Sequence, residues 1–136
     1  MNSKYEINTK ENREFLKASC EELLNFGHRF PSPNGGSYYL GDDGTPWKDR
    51  NRETWITCRM AHVYSLGLML GHEGSGELAD AALKGLKGEL HDEKNGGWYA
   101  GVTPEGGIVP NKQCYAHAFV ILAASSALTA GMSGVK

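Results

Sequence analysis

The residues best suited to chemistry lie in one stretch, Glu53-Thr54-Trp55-Ile56-Thr57-Cys58-Arg59-Met60-Ala61-His62-Val63-Tyr64. Trp55, Arg59, His62 and Leu66 follow at steps of four, three and four, so a helix stacks them on one side. Ile56, Met60, Val63, Gly67 and Leu70 give the same helix an apolar stripe elsewhere. A guanidinium is a permanent charge with a fork of donors, and an imidazole titrates near neutral pH. A column of indole, guanidinium and imidazole therefore either lines a polar cavity or is a fully satisfied part of the core. Arg59 has a structural alternative, an ion pair with Asp49, Glu53 or a loop carboxylate.

The other ionisable residues are weaker candidates. His62 lies about two turns below Trp55 and reads as a hydrogen-bonded core histidine. His117 follows Tyr115 by two residues, about 200° round a helix, so it cannot share that face and packs against a neighbouring helix or loop. His28, His72 and His91 fall at helix C-terminal ends, where the dipole accounts for them. Asp42-Asp43 and Asp92-Glu93 read as solvated turn carboxylates. Lys112 begins a helix, against the dipole; a salt bridge to Glu105 and a place at a cavity mouth both remain open. The glycines do not form a phosphate cradle, because no Gly-x-Gly-x-x-Gly links a strand to a helix and no Gly-Lys-Ser/Thr follows.

The chain of 136 residues can build one domain with a real core, and its 40% apolar and 22% charged residues are those of a globular protein. A net charge of −2 without a Lys/Arg cluster argues against nucleic acid as a partner. No apolar run has membrane-spanning length, and Met1-Asn-Ser-Lys-Tyr-Glu lacks a signal peptide's apolar segment. Cys20, Cys58 and Cys114 are odd in number and widely spaced within helical patterns, which suits buried free thiols in the cytoplasm, not a zinc site or a disulfide framework.

Four helices must position these residues. The first starts with Thr9 as N-cap and stops near Gly27; the second runs from about Arg52 to Leu70; the third from about Gly76 to Leu90; the fourth from about Lys112 to Ala130. Between the first two, Ser37-Tyr-Tyr-Leu and Gly41-Asp-Asp-Gly predict a small β-hairpin or an extended excursion. Between the last two, Asn95-Gly-Gly-Trp-Tyr-Ala-Gly-Val and Gly106-Gly-Ile-Val flank Thr103-Pro-Glu and predict another. The Asn-Gly-Gly signals recur after about 60 positions, as do Trp55 and Tyr115. The pattern is an α-hairpin array with one unit over about 9–71 and a second over about 75–131, its decorated loops at one end. A plain four-helix bundle is the alternative, but bundles rarely need two matched long loops.

Thr54-Trp-Ile-Thr-Cys-Arg-Met-Ala-His-Val-Tyr-Ser, with Asn95-Gly-Gly-Trp-Tyr-Ala and Lys112-Gln-Cys-Tyr-Ala-His-Ala-Phe, resembles the N-acylglucosamine 2-epimerase superfamily, especially its mannose and sulfoquinovose aldose–ketose isomerases. The resemblance covers about Phe15 to Ala130. It implies an all-α fold, part of an (α/α)6 toroid with short β-hairpin excursions in its loops, and a sugar site in the lumen. It also implies metal-independent, cofactor-free isomerisation or 2-epimerisation, with a histidine moving the proton between C1 and C2. By the same resemblance Arg59 is the catalytic lumen arginine at the sugar oxygens near C1 and C2, Trp55 walls the sugar subsite, and the Tyr115 hydroxyl reaches the substrate. The substrate is then a monosaccharide of the mannose, fructose or sulfoquinovose class.

Six such hairpins need about 360 residues, at about 60 each, so two hairpins amount to the N-terminal third of a toroid with its barrel incomplete. The resemblance places the histidine pair on later helices, which makes this segment inactive alone. Two other readings stand beside the isomerase. One is a non-catalytic or split helical array, whose open hairpin faces call for self-association or a complementing chain. The other, ranked lower, is a glycoside hydrolase on the same toroid, for which no carboxylate pair is visible here.

Overall fold

The computed structural model describes residues 6–133. Helix α1 spans Lys10–Gly27, α2 Thr54–Met69, α3 Ser75–Lys87 and α4 Cys114–Thr129. Thr9 caps α1 as expected, its Oγ1 accepting from the Asn12 amide at 3.1 Å. The first loop carries the antiparallel pair β1 (Tyr39–Leu40) and β2 (Pro46–Trp47), and the second carries β4 (Gly101–Val102) and β5 (Ile108–Val109). Both hairpins fall where the turn residues predict them.

One strand was not expected. Arg52 and Glu53, read from sequence as the start of a helix, form β3 and pair with Val102 and Gly101 of β4. A short three-stranded sheet, β3-β4-β5, thus joins the first unit to the second loop. It also supplies what α2 lacks at its start: the Thr54 amide donates to Ala100 O at 3.0 Å and the Thr54 hydroxyl to Tyr99 O at 2.6 Å. From the first loop, the Ser37 amide donates to Thr57 Oγ1 at 3.0 Å. Both loops are therefore fastened to the first turn of α2.

Helix α2 packs against both α3 and α4. Its rings and side chains meet α4 in order, Trp55 beside Tyr115 and, two turns on, His62 beside Ser126, so α2 and α4 run parallel. The core lies among these helices: Cys58, Ala61 and Tyr64 of α2, Ala79, Ala82, Leu83 and Leu86 of α3, and Val120, Ala123 and Ala127 of α4. Leu24 and Phe30 close it from the α1 side. Alanines at five of these positions let the helix axes approach closely. Gly85 carries the same logic to its limit, because a Cβ there would stand 2.3 Å from Gly36 N of the first loop.

The buried face of α2 corrects the sequence reading. The core stripe is Thr54, Thr57, Cys58, Ala61, Tyr64 and Ser65, whereas Val63 and Leu70 of the expected apolar stripe are exposed and only Gly67 is buried. Ile56, Met60 and Val63 instead line an open groove of ≈ 300 Å³ against Leu23, Phe26 and Leu40. Helix α3 is also shorter than expected, since Leu90 is buried but lies beyond the helix end. Of the thiols only Cys58 is buried, with burial pushing its pKa up to about 12; Cys20 is half-buried and Cys114 is exposed. No helix among the described residues is long and apolar enough to cross a membrane.

Candidate functional site

Arg59 is the only charged residue in the 16 positions of α2, and α4 has none. The guanidinium is exposed and lies 5.3 Å from the Trp55 ring centroid and 5.4 Å from that of Phe119 on α4. Tyr115 meets Trp55 edge-on at 6.0 Å and Phe119 at 4.9 Å. The structure therefore brings Trp55, Arg59 and Tyr115 together, and adds Phe119 from the turn below Tyr115. Three rings frame one permanent charge at the adjoining N-terminal ends of two parallel helices.

The ion-pair alternative for Arg59 belongs to another arginine. Arg52, buried, sends Nη2 to Glu89 Oε2 at 2.6 Å and Nη1 to Gly35 O at 2.8 Å. Asn34 Nδ2 completes the tie by donating to the other Glu89 oxygen at 3.1 Å. Among the described residues Arg59 makes no ion pair. The carboxylate nearest to it in sequence, Glu53, is already engaged: its Oε2 accepts the Trp55 indole N–H at 2.7 Å and the Tyr39 hydroxyl.

The two histidines are held by geometry. Ser126 donates its hydroxyl proton to Leu122 O at 2.7 Å, so the 2.7 Å contact with His62 requires Nδ1–H of His62 to donate to Ser126 Oγ. His62 is thus a half-buried, hydrogen-bonded link between α2 and α4, as its spacing indicated. His117 points to the second loop. Its Nδ1–H donates to Gln113 O at 2.8 Å, which leaves Nε2 as the acceptor for the Trp98 amide at 3.1 Å. Both ring nitrogens are committed, so His117 has no lone pair left for substrate. The fit is close enough that a Cβ on Gly97, at φ +79, would stand 2.7 Å from Nε2.

Lys112 and Asp92 settle each other. Asp92 is buried, not solvated as its turn sequence suggested, and Lys112 Nζ reaches its Oδ2 at 2.7 Å and Gly96 O at 2.5 Å. Glu105 is not the partner. Asp92 Oδ1 also accepts the Lys94 and Asn95 amides at 3.2 and 3.0 Å. The Lys112 ammonium, followed by these amide bonds, holds the Asp92 carboxyl well below the usual carboxylate range. Lys112 and His117 together pin the loop 92–98 to the start of α4, and so fix the turn that carries Tyr115.

Among the described residues no group of three or more His, Cys, Asp or Glu side chains converges as a metal set does. The site is an aromatic wall with a guanidinium beside it. Such a wall can pack the apolar face of a sugar ring and hold adjacent oxygens.

The N-acylglucosamine 2-epimerase (GlcNAc 2-epimerase) family model matches residues 35–136. The chain belongs to that family. Within it, the chain is 37% identical over 125 residues to a D-mannose isomerase of Thermobifida fusca, covering 91% of this chain and 31% of that one. It is 34% identical over 125 residues to a D-mannose isomerase of Pseudomonas cannabina pv. alisalensis, covering 92% and 30%. A crystal structure of D-mannose isomerase shares the fold at a TM-score of 0.79 and 24% identity, over 95% of this chain and 33% of that one. Cellobiose 2-epimerase from Bacillus thermoamylovorans B4167 superposes at a TM-score of 0.70 with 27% identity, over 85% and 31%. The chain thus spans about a third of the length of the curated relatives it matches. The fold is accordingly all-α, two hairpins of an α/α toroid with an open barrel.

Sequence reasoning missed three members of the site's surroundings. Phe119 has no role in the sequence reading. Glu53 stands there only as an ion-pair partner for Arg59, whereas its carboxylate bonds Trp55. Nothing local in the sequence marks Tyr39 as its second partner, because the contact spans 14 positions.

Proposed function

We propose that this segment supplies the sugar-holding wall of an isomerase or epimerase that moves a proton at C1 and C2 of a monosaccharide of the mannose, fructose or sulfoquinovose class. The observation that carries the reading is an exposed Arg59, without an ion pair among the described residues, beside Trp55, Phe119 and Tyr115. An exposed guanidinium with no carboxylate on either helix keeps its fork of donors free for an anion or a pair of sugar oxygens.

The chemistry follows from the bonds involved. A base removes the C2 proton of the open-chain aldose, and the electron pair moves into a C1–C2 double bond, with negative charge on O1. Moving the O2 proton to O1 and returning the abstracted proton to C1 gives the ketose; returning it instead to the other face of C2, with O1 again a carbonyl, gives the epimer. The two adjacent oxygens of that enediolate match the planar fork of Arg59. Trp55 supplies an apolar platform, and Tyr115 a hydroxyl at the rim. Within this segment His117 has both ring nitrogens bonded, and His62 is tied to Ser126 through Nδ1, so neither is assigned the proton transfer. The family resemblance places the proton-transferring group on later helices.

The test is Arg59→Ala in a full-length enzyme carrying this segment. Loss of the enediolate donor should lower kcat/KM by about 10²–10³ with unchanged folding. A loss of less than about tenfold would reassign Arg59 to structure.

A second reading, a split array that needs a covering partner, has its own support. Thr54, Cys58, Ala61 and Ser65 form the buried flank of α2. The residues about 60 positions on, Cys114, Ala118, Ile121 and Ser125, are all exposed on α4. A face that one helix buries and its counterpart leaves open is a face awaiting a neighbour.

A further inference from the structure

We infer that Glu53 is a positioning residue: its carboxylate locks the Trp55 ring into the Arg59 column and couples that ring to the first loop's hairpin through Tyr39. The inference rests on the sugar-wall reading for its functional meaning, while the bridge itself rests on three geometric observations.

The first is that both donors converge on one atom. The Trp55 indole N–H and the Tyr39 hydroxyl both donate to Glu53 Oε2. The second is that Glu53 is itself held. Its backbone pairs with Gly101 in β3, between Arg52 and Thr54, both of them buried and bonded. A carboxylate on so fixed a backbone can impose a direction on the ring it holds. The third is what Glu53 does not do. It occupies the N-cap position of α2, yet its side chain makes no capping bond. The carboxylate is turned away from the amides that an N-cap ordinarily serves and toward Trp55 and Tyr39.

The electrostatics of the ring agree. An indole has a positive edge at its N–H and a negative face. Here the anion sits at the N–H edge and the Arg59 cation lies near the ring centroid, 5.3 Å away. Each charge meets the part of the ring that suits it, so Glu53 and Arg59 hold Trp55 from two directions. Tyr39 extends the hold to the hairpin, because β1 pairs Tyr39 with Trp47 of β2. Burial, then the bond to Glu53, pushes the Tyr39 hydroxyl up to about 12, which keeps it a donor at any working pH.

Because both bonds end on one oxygen, the amide oxygen of glutamine can accept both. Glu53→Gln therefore keeps the bridge and Glu53→Ala removes it. The experiment measures Trp55 fluorescence in the 136-residue chain, taken as the difference between each protein and the same protein carrying Trp55→Phe. In E53A the emission should shift and the anisotropy fall as the ring gains freedom, whereas E53Q should retain the native values. An E53A signal superimposable on the parent's, or an E53Q signal displaced as far as that of E53A, overturns the inference. If circular dichroism shows that E53A does not fold, Tyr39→Phe takes its place. Its loss of one donor should lower Trp55 anisotropy with unchanged ellipticity, and unchanged anisotropy overturns the inference.

A mannose and fructose titration of a full-length enzyme carrying this segment, as parent and as E53A, separates this result from the sugar-wall reading. Where the parent binds sugar, E53A should weaken it by about tenfold. Undiminished affinity in E53A defeats the positioning role. A parent that binds no sugar defeats the sugar-wall reading and leaves the Trp55 result to decide the bridge.

Discussion

At the scale of single residues, the division of labour between arginines carries most of the functional argument. Arg52 and Arg59 are seven positions apart on adjoining elements, yet one is buried in an ion pair with Glu89 and the other is exposed among rings. Sequence alone could not assign the ion pair, because Glu89 is 37 positions from its partner. Asp92 shows the same blindness. Its neighbours read as a solvated turn, and only the return of the chain at Lys112 makes it a buried anchor. That anchor has a pH signature. The folded carboxyl titrates below its unfolded value of about 3.9, so its contribution is complete above that range and is lost as the pH falls through and below it. Asp92→Asn should accordingly lower the urea midpoint at pH 7, and the gap from the parent should close as the pH is taken from about 5 toward 2. A gap independent of pH would show that Lys112 does not stabilise the charged form.

At the scale of elements, the loops and helices depend on close approach, and glycine substitutions of opposite sign test it. Gly85 on α3 lies against the backbone of Gly36, where a Cβ would be 2.3 Å from nitrogen. Gly85→Ala should cost about 1–3 kcal/mol, the usual range for overpacking. Gly76, in the first turn of the same helix, would place its Cβ 3.6 Å from Leu68 Cδ1, an ordinary contact. Gly76→Ala should raise stability by about 0.4–1 kcal/mol. Equal effects at the two sites, read by chemical denaturation, would contradict the packing of α3 against the first loop. The helices and both hairpins were legible because capping residues, glycine turns and 3.6-residue periodicity are local. Strand β3 was not legible, because two residues become a strand only when β4 arrives from the other unit to pair with them. The buried face of α2 was misassigned for a related reason. Its core positions are Thr, Cys, Ala, Tyr and Ser, which a hydrophobic scale ranks below the Ile, Met and Val that face the groove.

At the scale of the whole molecule, exposed apolar surface sets the expectation. Ile121 is 69% exposed and Leu128 65% exposed on the open face of α4, and Leu23 is 72% exposed on α1. Contiguous apolar faces of this kind are covered in stable proteins. The isolated chain should therefore associate as its concentration rises, and the double variant Ile121→Lys, Leu128→Lys should reduce that association. Sedimentation that shows the parent as a monomer across the range, with cooperative unfolding, would count against an uncovered face. The same preparation should not interconvert mannose and fructose, or turn over sulfoquinovose, because the family resemblance puts the proton-transferring histidines on later helices. Enzyme-dependent turnover by the 136-residue chain would defeat that expectation.

The sequence by itself determined the four helices, the Thr9 cap of the first, the two turn-built hairpins and the family, because each is written in short-range spacing or in contiguous motifs. It also nominated Trp55, Arg59 and Tyr115 as a set, through their register and the family resemblance. Only the tertiary structure decided which arginine is paired, that Asp92 is buried and that His117 is spent on the second loop. It also decided that Glu53 and Tyr39 hold the Trp55 ring. Those outcomes depend on groups 14 to 60 positions apart meeting within hydrogen-bonding or ring-contact distance. Charge, burial and hydrogen-bond satisfaction are properties of that meeting, and no local pattern encodes them.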